Sequence, residues 1–521
     1  MAAHYDIIVI GTGAGGGTIA HRLAATGKQI LILERGDFLP REKANWDAKA
    51  VYQDERYHTH EAWIDDSSGQ SFRPQMSYWV GGNTKVYGAA LLRLRERDFD
   101  AVEHQDGISP EWPLKYADFE PYYAAAEQLY DVHGTAGADP TEPSRSAAFP
   151  HPAVSHEPRM QAIADRLTQQ GLHPFNLPLG LKLNEVDKTL GACIRCDSCD
   201  GFPCLVQGKA DAEVNGIQPI RQESNITLLT QTMATRLITN AVGNTVTTVE
   251  ADVQGESQRF SGDIVVVACG AINSAALLLR SANDRHPDGL ANGSGQVGRN
   301  LMKHLTTAMV ALTTTPNRDI YQKTIAISDY YWGEPDFPYP MGFIQNTGNV
   351  LRDMIPAEAP KLLAPFVKFA PGSELGRVAE LSTGWWLQTE DLPDPNNRVQ
   401  VQAGTIHVHY QPNNTVAGDR LIHRWTQVLK QLDQAEHVIP FGIYPRNKTP
   451  LQVVGHQCGT CVFGPDPAAT VLDLNCRTHE LDNLYVVDSS FFPSSSGVNP
   501  TLTIIANALR VGDRLIDRYG W

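Results

Sequence analysis

The sequence has no surplus of positive charge. Lys and Arg number 43 against 58 Asp and Glu, a formal net charge of −15. Nucleic acids and anionic membrane surfaces select basic partners, so neither is expected here. Nor is there an uninterrupted run of the roughly 18 apolar residues that a membrane helix needs. No basic leader or cleavage site precedes the first apolar run, which starts at Ile7, so a cytoplasmic location is expected. No internal repeat or low-complexity tract occurs. Cysteine is sparse, 8 in 521 residues, which argues against a disulfide-framed fold and for thiols or ligands. What remains is a globular composition, 42% hydrophobic and 19% charged. The length suggests about two to four domain-sized units.

The N-terminus carries a pattern with a mechanism. Residues 5–10 read YDIIVI, a β-rich apolar run suited to a buried parallel strand. Residues 11–16 read GTGAGG, residues 17–27 are helical in character, and Gly27 is placed to cap that helix. Residues 29–34 form a second apolar strand ending in Glu34. In such a unit Gly11 permits the tight turn, Gly13 admits a pyrophosphate, and Gly16 lets helix and strand approach. The helix N-terminus offers free N–H groups and partial positive charge to the phosphates. Glu34 is positioned to accept hydrogen bonds from ribose hydroxyls and to repel a 2′-phosphate, which disfavours NADP. The fingerprint predicts dinucleotide binding but does not separate FAD from NAD.

The rest of the chain decides for FAD. No second fingerprint occurs. Instead, separated motifs follow in order: GGNTKVYG at 81–88, SGDIVVVACGAINSAALLLRS at 261–281, VGRNLMKH at 297–304, HQCGT from His456, and NPT from Asn499. With the N-terminal fingerprint they span residues 5–515, and together they resemble the glucose–methanol–choline (GMC) family of FAD-dependent oxidoreductases. The resemblance implies an α/β fold. A Rossmann-type FAD-binding domain with a parallel sheet would comprise residues 1–130, 185–305 and 455–521. An α+β substrate domain on an antiparallel sheet would comprise 306–454, with strand-like runs at 306–315 and 397–401. Residues 131–184, rich in Pro, His and Ser, are read as a lid or an oligomerisation contact.

By the same resemblance His456 is the catalytic base and Asn499 its partner, holding the substrate oxygen without titrating. Gly11, Gly13, Gly16, Glu34, Gly82, Asn83, Asp488, Asn499, Pro500 and Thr501 are the implied FAD contacts. Pro500 starts a helix whose N-terminus faces the flavin. Some members bond FAD to a histidine in the 81–88 loop. Val86 stands at that position, so noncovalent FAD is expected. Phe463 replaces a methionine common in the family, with an effect expected on packing alone.

The substrate reading is narrower. Residues 112–123 and 383–399 resemble segments of bacterial pyranose and glycoside oxidases, including those acting on C-glycosides. Trp385, Trp386, Gln388 and Glu390 are candidate sugar contacts. The implied reaction is oxidation of a pyranose or glycoside hydroxyl at C2 or C3, with oxygen or a quinone as final acceptor. The alternatives are an alcohol dehydrogenase that passes electrons to a quinone or protein, a non-redox lyase, and a noncatalytic FAD-binding module. Residues 193–204 hold Cys193, Cys196, Cys199 and Cys204 in a C-x2-C-x2-C-x4-C spacing. That spacing admits an iron–sulfur cluster, zinc, or thiols and disulfides. His407 and His409 share one strand face, but no third ligand accompanies them and no metal is assigned.

Overall fold

The computed structural model describes residues 4–359, 364–432, 446–453 and 455–521. Strand β1 (His4–Ile10) leads into helix α1 (Ala14–Ala24) and strand β2 (Ile30–Leu33). Ile7 to Ile10 and Ile30 to Leu33 are all buried, because both faces of the sheet are covered, as the unbroken apolar runs predict. The chain returns to this sheet much later with β3 (Ile226–Leu229), the antiparallel pair β4 (Thr232–Thr239) and β5 (Val246–Val253), and β6 (Glu256–Val267). The parallel order is β3–β2–β1–β6, closed by the C-terminal strand Leu484–Val486. The 12-residue β6 serves two partners. Its first half pairs with β5, and its second half enters the parallel sheet beside β1. Helix α2 (Ala271–Arg280) follows it.

The Gly-rich turn differs in detail from the sequence reading. Helix α1 starts at Ala14, three residues earlier than expected, and its C-cap is Ala25. Gly27 lies two residues further on, at φ +72°. The glycines extend the helix because their missing side chains let it sit against other backbone. A Cβ on Gly15 would lie 1.7 Å from the Val487 carbonyl oxygen, and one on Gly16 would lie 2.0 Å from that of Gly11.

A second, antiparallel sheet holds β7 (Leu305–Leu312), β8 (Ile325–Ile327), β9 (Phe343–Asn346) and β10 (Ser382–Thr389). The order is β7–β10–β9–β8, with Arg446–Lys448 outside β7 and Phe175–Asn176 outside β8. Residue alternation gives it two faces. On one, Trp385 packs edge-on to Trp425 of helix α3 (Thr415–Leu432), with Met309, Ile344 and Leu387 in the same core. The other carries Gln345, Trp386 and Gln388. Residues 397–401, expected in this sheet, instead contribute the strand Arg398–Gln402 to a separate four-stranded sheet with Thr405–His409, Trp63–Asp65 and Gln70–Phe72. Backbone bonds from Val399 to Gly298 and from Leu301 to Asn397 draw it toward the first unit. The last helix, α4 (Thr501–Tyr519), lies beside α1, where Gly512 meets Arg22 and Asp513 pairs with the Arg22 guanidinium at 2.5 Å. No described helix is long and apolar enough to cross a membrane.

Candidate active site

The dinucleotide turn has one open position. Gly11 has φ +99°, and a Cβ there would lie 2.4 Å from the Ala268 carbonyl oxygen, so the turn needs glycine. Gly13 is the contrast: a Cβ on it would meet nothing within 4 Å. It is the N-cap of α1 and has no side-chain cap, so the first N–H groups of the helix face that space. Glu34 is buried at the end of β2. One of its oxygens accepts from Thr12 N (3.1 Å) and Oγ1 (2.5 Å), the other from Gly36 N (2.8 Å). Further lone pairs on the carboxylate are available to ribose hydroxyls. Gly81 N donates to Thr12 Oγ1 at 3.0 Å, and Gly82 comes against Gly13, which ties the 81–88 loop to the same space. An open glycine, a helix N-terminus and a buried carboxylate fit the diphosphate and ribose of FAD.

The 81–88 loop is clamped from behind. Lys85 pairs with Asp211 (2.9 Å) and Glu213 (2.5 Å) in the interior. Asn83 anchors the loop to the segment before it, accepting from Ser77 N and donating to Met76 Sδ. Asp488 behaves similarly. Gly270 N and Ser274 Oγ donate to one oxygen, Ser490 N and Oγ to the other. Both residues therefore shape the cradle through protein hydrogen bonds.

The backbone brings His456 to His304. Met302 and Cys458 exchange N–H···O bonds of 3.1 and 2.8 Å. Two residues on in each direction, His304 and His456 stand opposite each other with Nδ1 atoms 3.1 Å apart. His304 Nε2 lies 3.0 and 2.9 Å from the carbonyl oxygens of Ser495 and Ser496. Three residues after Ser496, Asn499 opens the Pro500–Thr501 start of α4, and its Oδ1 accepts from Gln345 Nε2 at 3.4 Å. Thus the 495–501 segment, which holds Asn499, Pro500 and Thr501, is tied to His456 through His304 and to the second sheet through Gln345. In the sequence reading His304 has no role, although it ends the VGRNLMKH motif. Gln345 is passed over there because a lone glutamine in a strand has no local signal.

The other sugar candidates are engaged elsewhere. Trp385 faces away, into the core against Trp425. Gln388 donates to Gly497 O at 3.1 Å. Glu390 accepts from Ser109 Oγ (2.7 Å) and Ser496 N (3.2 Å) and pairs with His104 (3.1 Å). Only Trp386 of the four is partly exposed. Phe463 packs edge-on to Trp112 and Phe491 in the aromatic cluster under residues 489–497. His407 bonds Asp66 at 2.7 Å.

The iron–sulfur and zinc readings of residues 193–204 are not supported. Cys193, Cys196, Cys199 and Cys204 are free thiols. Among the described residues no three His, Cys, Asp or Glu side chains are arranged to hold a metal. Burial pushes the Cys193 thiol up to about 12 and the Cys196 thiol up to about 11. The spacing serves a packed loop instead. Lys209 Nζ donates to the Cys199 and Phe202 carbonyls, and Asp200 pairs with Lys323 at 2.7 Å.

Burial works against protonation of both histidines of this pair. Burial lowers His304 to about 4. Burial, then the neighbouring His304, Lys323 and Lys303, hold His456 well below 6.5. In the unfolded chain both rings protonate near 6.5, so the unfolded state binds more protons below that pH. For His304 this contribution to stability is complete above pH 6.5 and is lost as pH falls toward about 4, and for His456 it is lost on the same acid side of 6.5. Thermal unfolding between those limits should show Tm falling with acidification, less steeply in His304→Asn. A slope that is the same in both proteins would contradict this.

Comparison with known proteins agrees with the fold. The family models described as GMC oxidoreductase match residues 5–306 and 395–508. The chain is 32% identical to 6'''-hydroxyparomomycin C oxidase of Streptomyces lividus, over 97% of this chain and 90% of that one. It is 30% identical to paromamine 6'-oxidase of Streptomyces fradiae, over 99% and 92%. Among solved structures, pyridoxine 4-oxidase from Mesorbium loti shares the fold, with TM-score 0.67 and 18% identity over 98% of this chain and 99% of that one. The chain belongs to the GMC oxidoreductase family, FAD-dependent enzymes acting on CH–OH groups.

Proposed function

We propose that the protein oxidises a secondary hydroxyl of a pyranose or glycoside, at C2 or C3, to a ketone, with His456 as base and noncovalent FAD. The observation that carries this reading is the chain of contacts from His456 through His304 to the backbone of Ser495 and Ser496, in the segment that leads to Asn499. FAD, when bound, supplies the acceptor for the hydride of the carbinol carbon. The chain supplies the rest. His456, neutral through burial, takes the hydroxyl proton. Asn499 donates to the same oxygen from Nδ2, because its Oδ1 is occupied by Gln345. The α4 N-terminus favours negative charge in front of it. Gly11, Gly13, Gly16, Glu34 and Gly82 form the FAD cradle, and Asn83 and Asp488 hold its shape. Residues 1–130, 185–305 and 455–521 form the FAD unit, 306–454 the substrate unit, and 131–184 a lid or subunit contact.

A sugar is supported by two relatives named as oxidases of aminoglycosides. It is also supported by Gln345 Oε1, a buried acceptor with no partner among the described residues, which suits a second hydroxyl beside the reacting one. Gln345→Leu removes that acceptor and the bond to Asn499. Its kcat/KM should fall about 2- to 10-fold, as expected for a neutral hydrogen bond, with the flavin spectrum unchanged. Equal activity of the variant on every substrate would exclude Gln345 from the site.

The test is anaerobic addition of pyranoses, glycosides and C-glycosides to the FAD-loaded protein. Bleaching of the flavin bands by a sugar, with a keto product by NMR, supports the reading. Readmitting air separates an oxidase from a dehydrogenase that uses a quinone. A flavin that no sugar bleaches would overturn the substrate reading, and turnover without bleaching would favour a lyase.

A further inference from the structure

The hydrogens of the two histidines can be placed by elimination. His304 Nε2 faces the carbonyl oxygens of Ser495 and Ser496 at 3.0 and 2.9 Å. Carbonyl oxygens only accept, so Nε2 carries a hydrogen. His304 is completely buried, and a buried ring without a carboxylate in contact stays neutral. Its single hydrogen is therefore spent on the carbonyls, and Nδ1 is a bare lone pair. That lone pair lies 3.1 Å from His456 Nδ1, with the rings at 85° and their centroids 5.1 Å apart. Only His456 can supply the hydrogen between them. His456 then has its one hydrogen on Nδ1. Its Nε2 is bare and has no protein partner among the described residues.

We propose that His304 is a positioning residue that fixes His456 in the Nδ1–H tautomer, so that Nε2 is the atom that takes the substrate proton. This rests on the reading of His456 as the base. A chain of fixed hydrogens runs from the 495–496 backbone through His304 to His456, and each link has one allowed direction. The backbone of His304 is consistent with a demanded position. Its φ is +60°, a left-handed conformation uncommon for a residue with a side chain. When Nε2 accepts the proton, His456 becomes a cation that still donates from Nδ1. The bond to His304 then strengthens as a charge-assisted one, and His304 itself gains no proton. A neutral imidazole in this place orients the base and raises its basicity less than a carboxylate would, because it carries no charge.

The test is nitrogen NMR of the FAD-loaded full chain labelled on histidine, at neutral pH. Signals are assigned from His456→Gln and His304→Gln. The expected result is opposite tautomers, hydrogen on Nδ1 of His456 and on Nε2 of His304. In His304→Leu the His456 signals should become those of a mixture, and kcat should fall about 100-fold with little change in KM, a size typical of general-base loss. His304→Asn returns an acceptor near the Nδ1 position and should recover at least about tenfold of that loss. Hydrogen on Nε2 of His456 in the unaltered protein overturns the proposal. So does an unchanged His456 tautomer in His304→Leu. The tautomers are read without substrate, so they stand even if no sugar is oxidised. The base reading fails separately if His456→Ala keeps full turnover.

Discussion

Replacing His456 with alanine will lower kcat/KM about 10²- to 10⁴-fold, the range of a lost general base, while the protein keeps its FAD. The reason is local. His456 reaches the site from a loop pinned by the Met302–Cys458 backbone pair and contributes no bond to the cradle at Gly13 and Glu34. Flavin content and Tm should therefore hardly change. The same residue sets the acid limb of the pH profile. Activity requires the neutral ring, so kcat/KM rises with pH through the pKa of His456 and is then flat. Burial, His304, Lys323 and Lys303 all push that pKa below 6.5, so the limb lies on the acid side of 6.5. It should be absent from the residual activity of His456→Ala. An acid limb that persists in the variant would assign the base elsewhere.

Gly13→Val will yield a folded protein that binds FAD about 100-fold more weakly, a loss on the order of 3 kcal/mol. No atom lies within 4 Å of a Cβ at this position, so the side chain is tolerated by the polypeptide. It occupies the space in front of the α1 N-terminus instead. Gly15→Ala separates the two effects. Its Cβ would lie 1.7 Å from the Val487 carbonyl oxygen, so that variant should lose stability as well as cofactor. Calorimetric titration with FAD and a thermal melt of each apoprotein check both statements. Unimpaired FAD binding by Gly13→Val would remove the cradle from the position argued for it.

Those two variants differ in how legible their sites were. The cradle could be read from residues 5–34 because strand, turn, helix and carboxylate are contiguous, and spacing alone fixes their geometry. Of the antiparallel sheet only the run 306–315 was legible, as β7, whereas 397–401 pairs in another sheet. His304 and Gln345 were not legible. Their contacts lie 152 and 154 positions away in sequence, and nothing in VGRNLMKH or in a single strand glutamine announces a partner at that distance. Trp385 and Trp386 show the same limit at closer range. Composition offers both to a sugar, and only the register of β10 decides that Trp385 faces the core. The cysteine spacing misled because a motif counts positions, whereas coordination needs convergence of the thiols in space.

The cradle is built from both ends of the chain, with Gly15 against Val487 and α1 against α4. Synthesis proceeds from the N-terminus, so the fingerprint leaves the ribosome more than four hundred residues before the strand Leu484–Val486 and the helix Thr501–Tyr519 that complete it. A nascent chain that has exposed only its fingerprint has no finished wall to hold a cofactor. FAD capture is therefore expected to wait until α4 has been made, and a product stopped anywhere before α4 is expected not to be rescued by adding flavin.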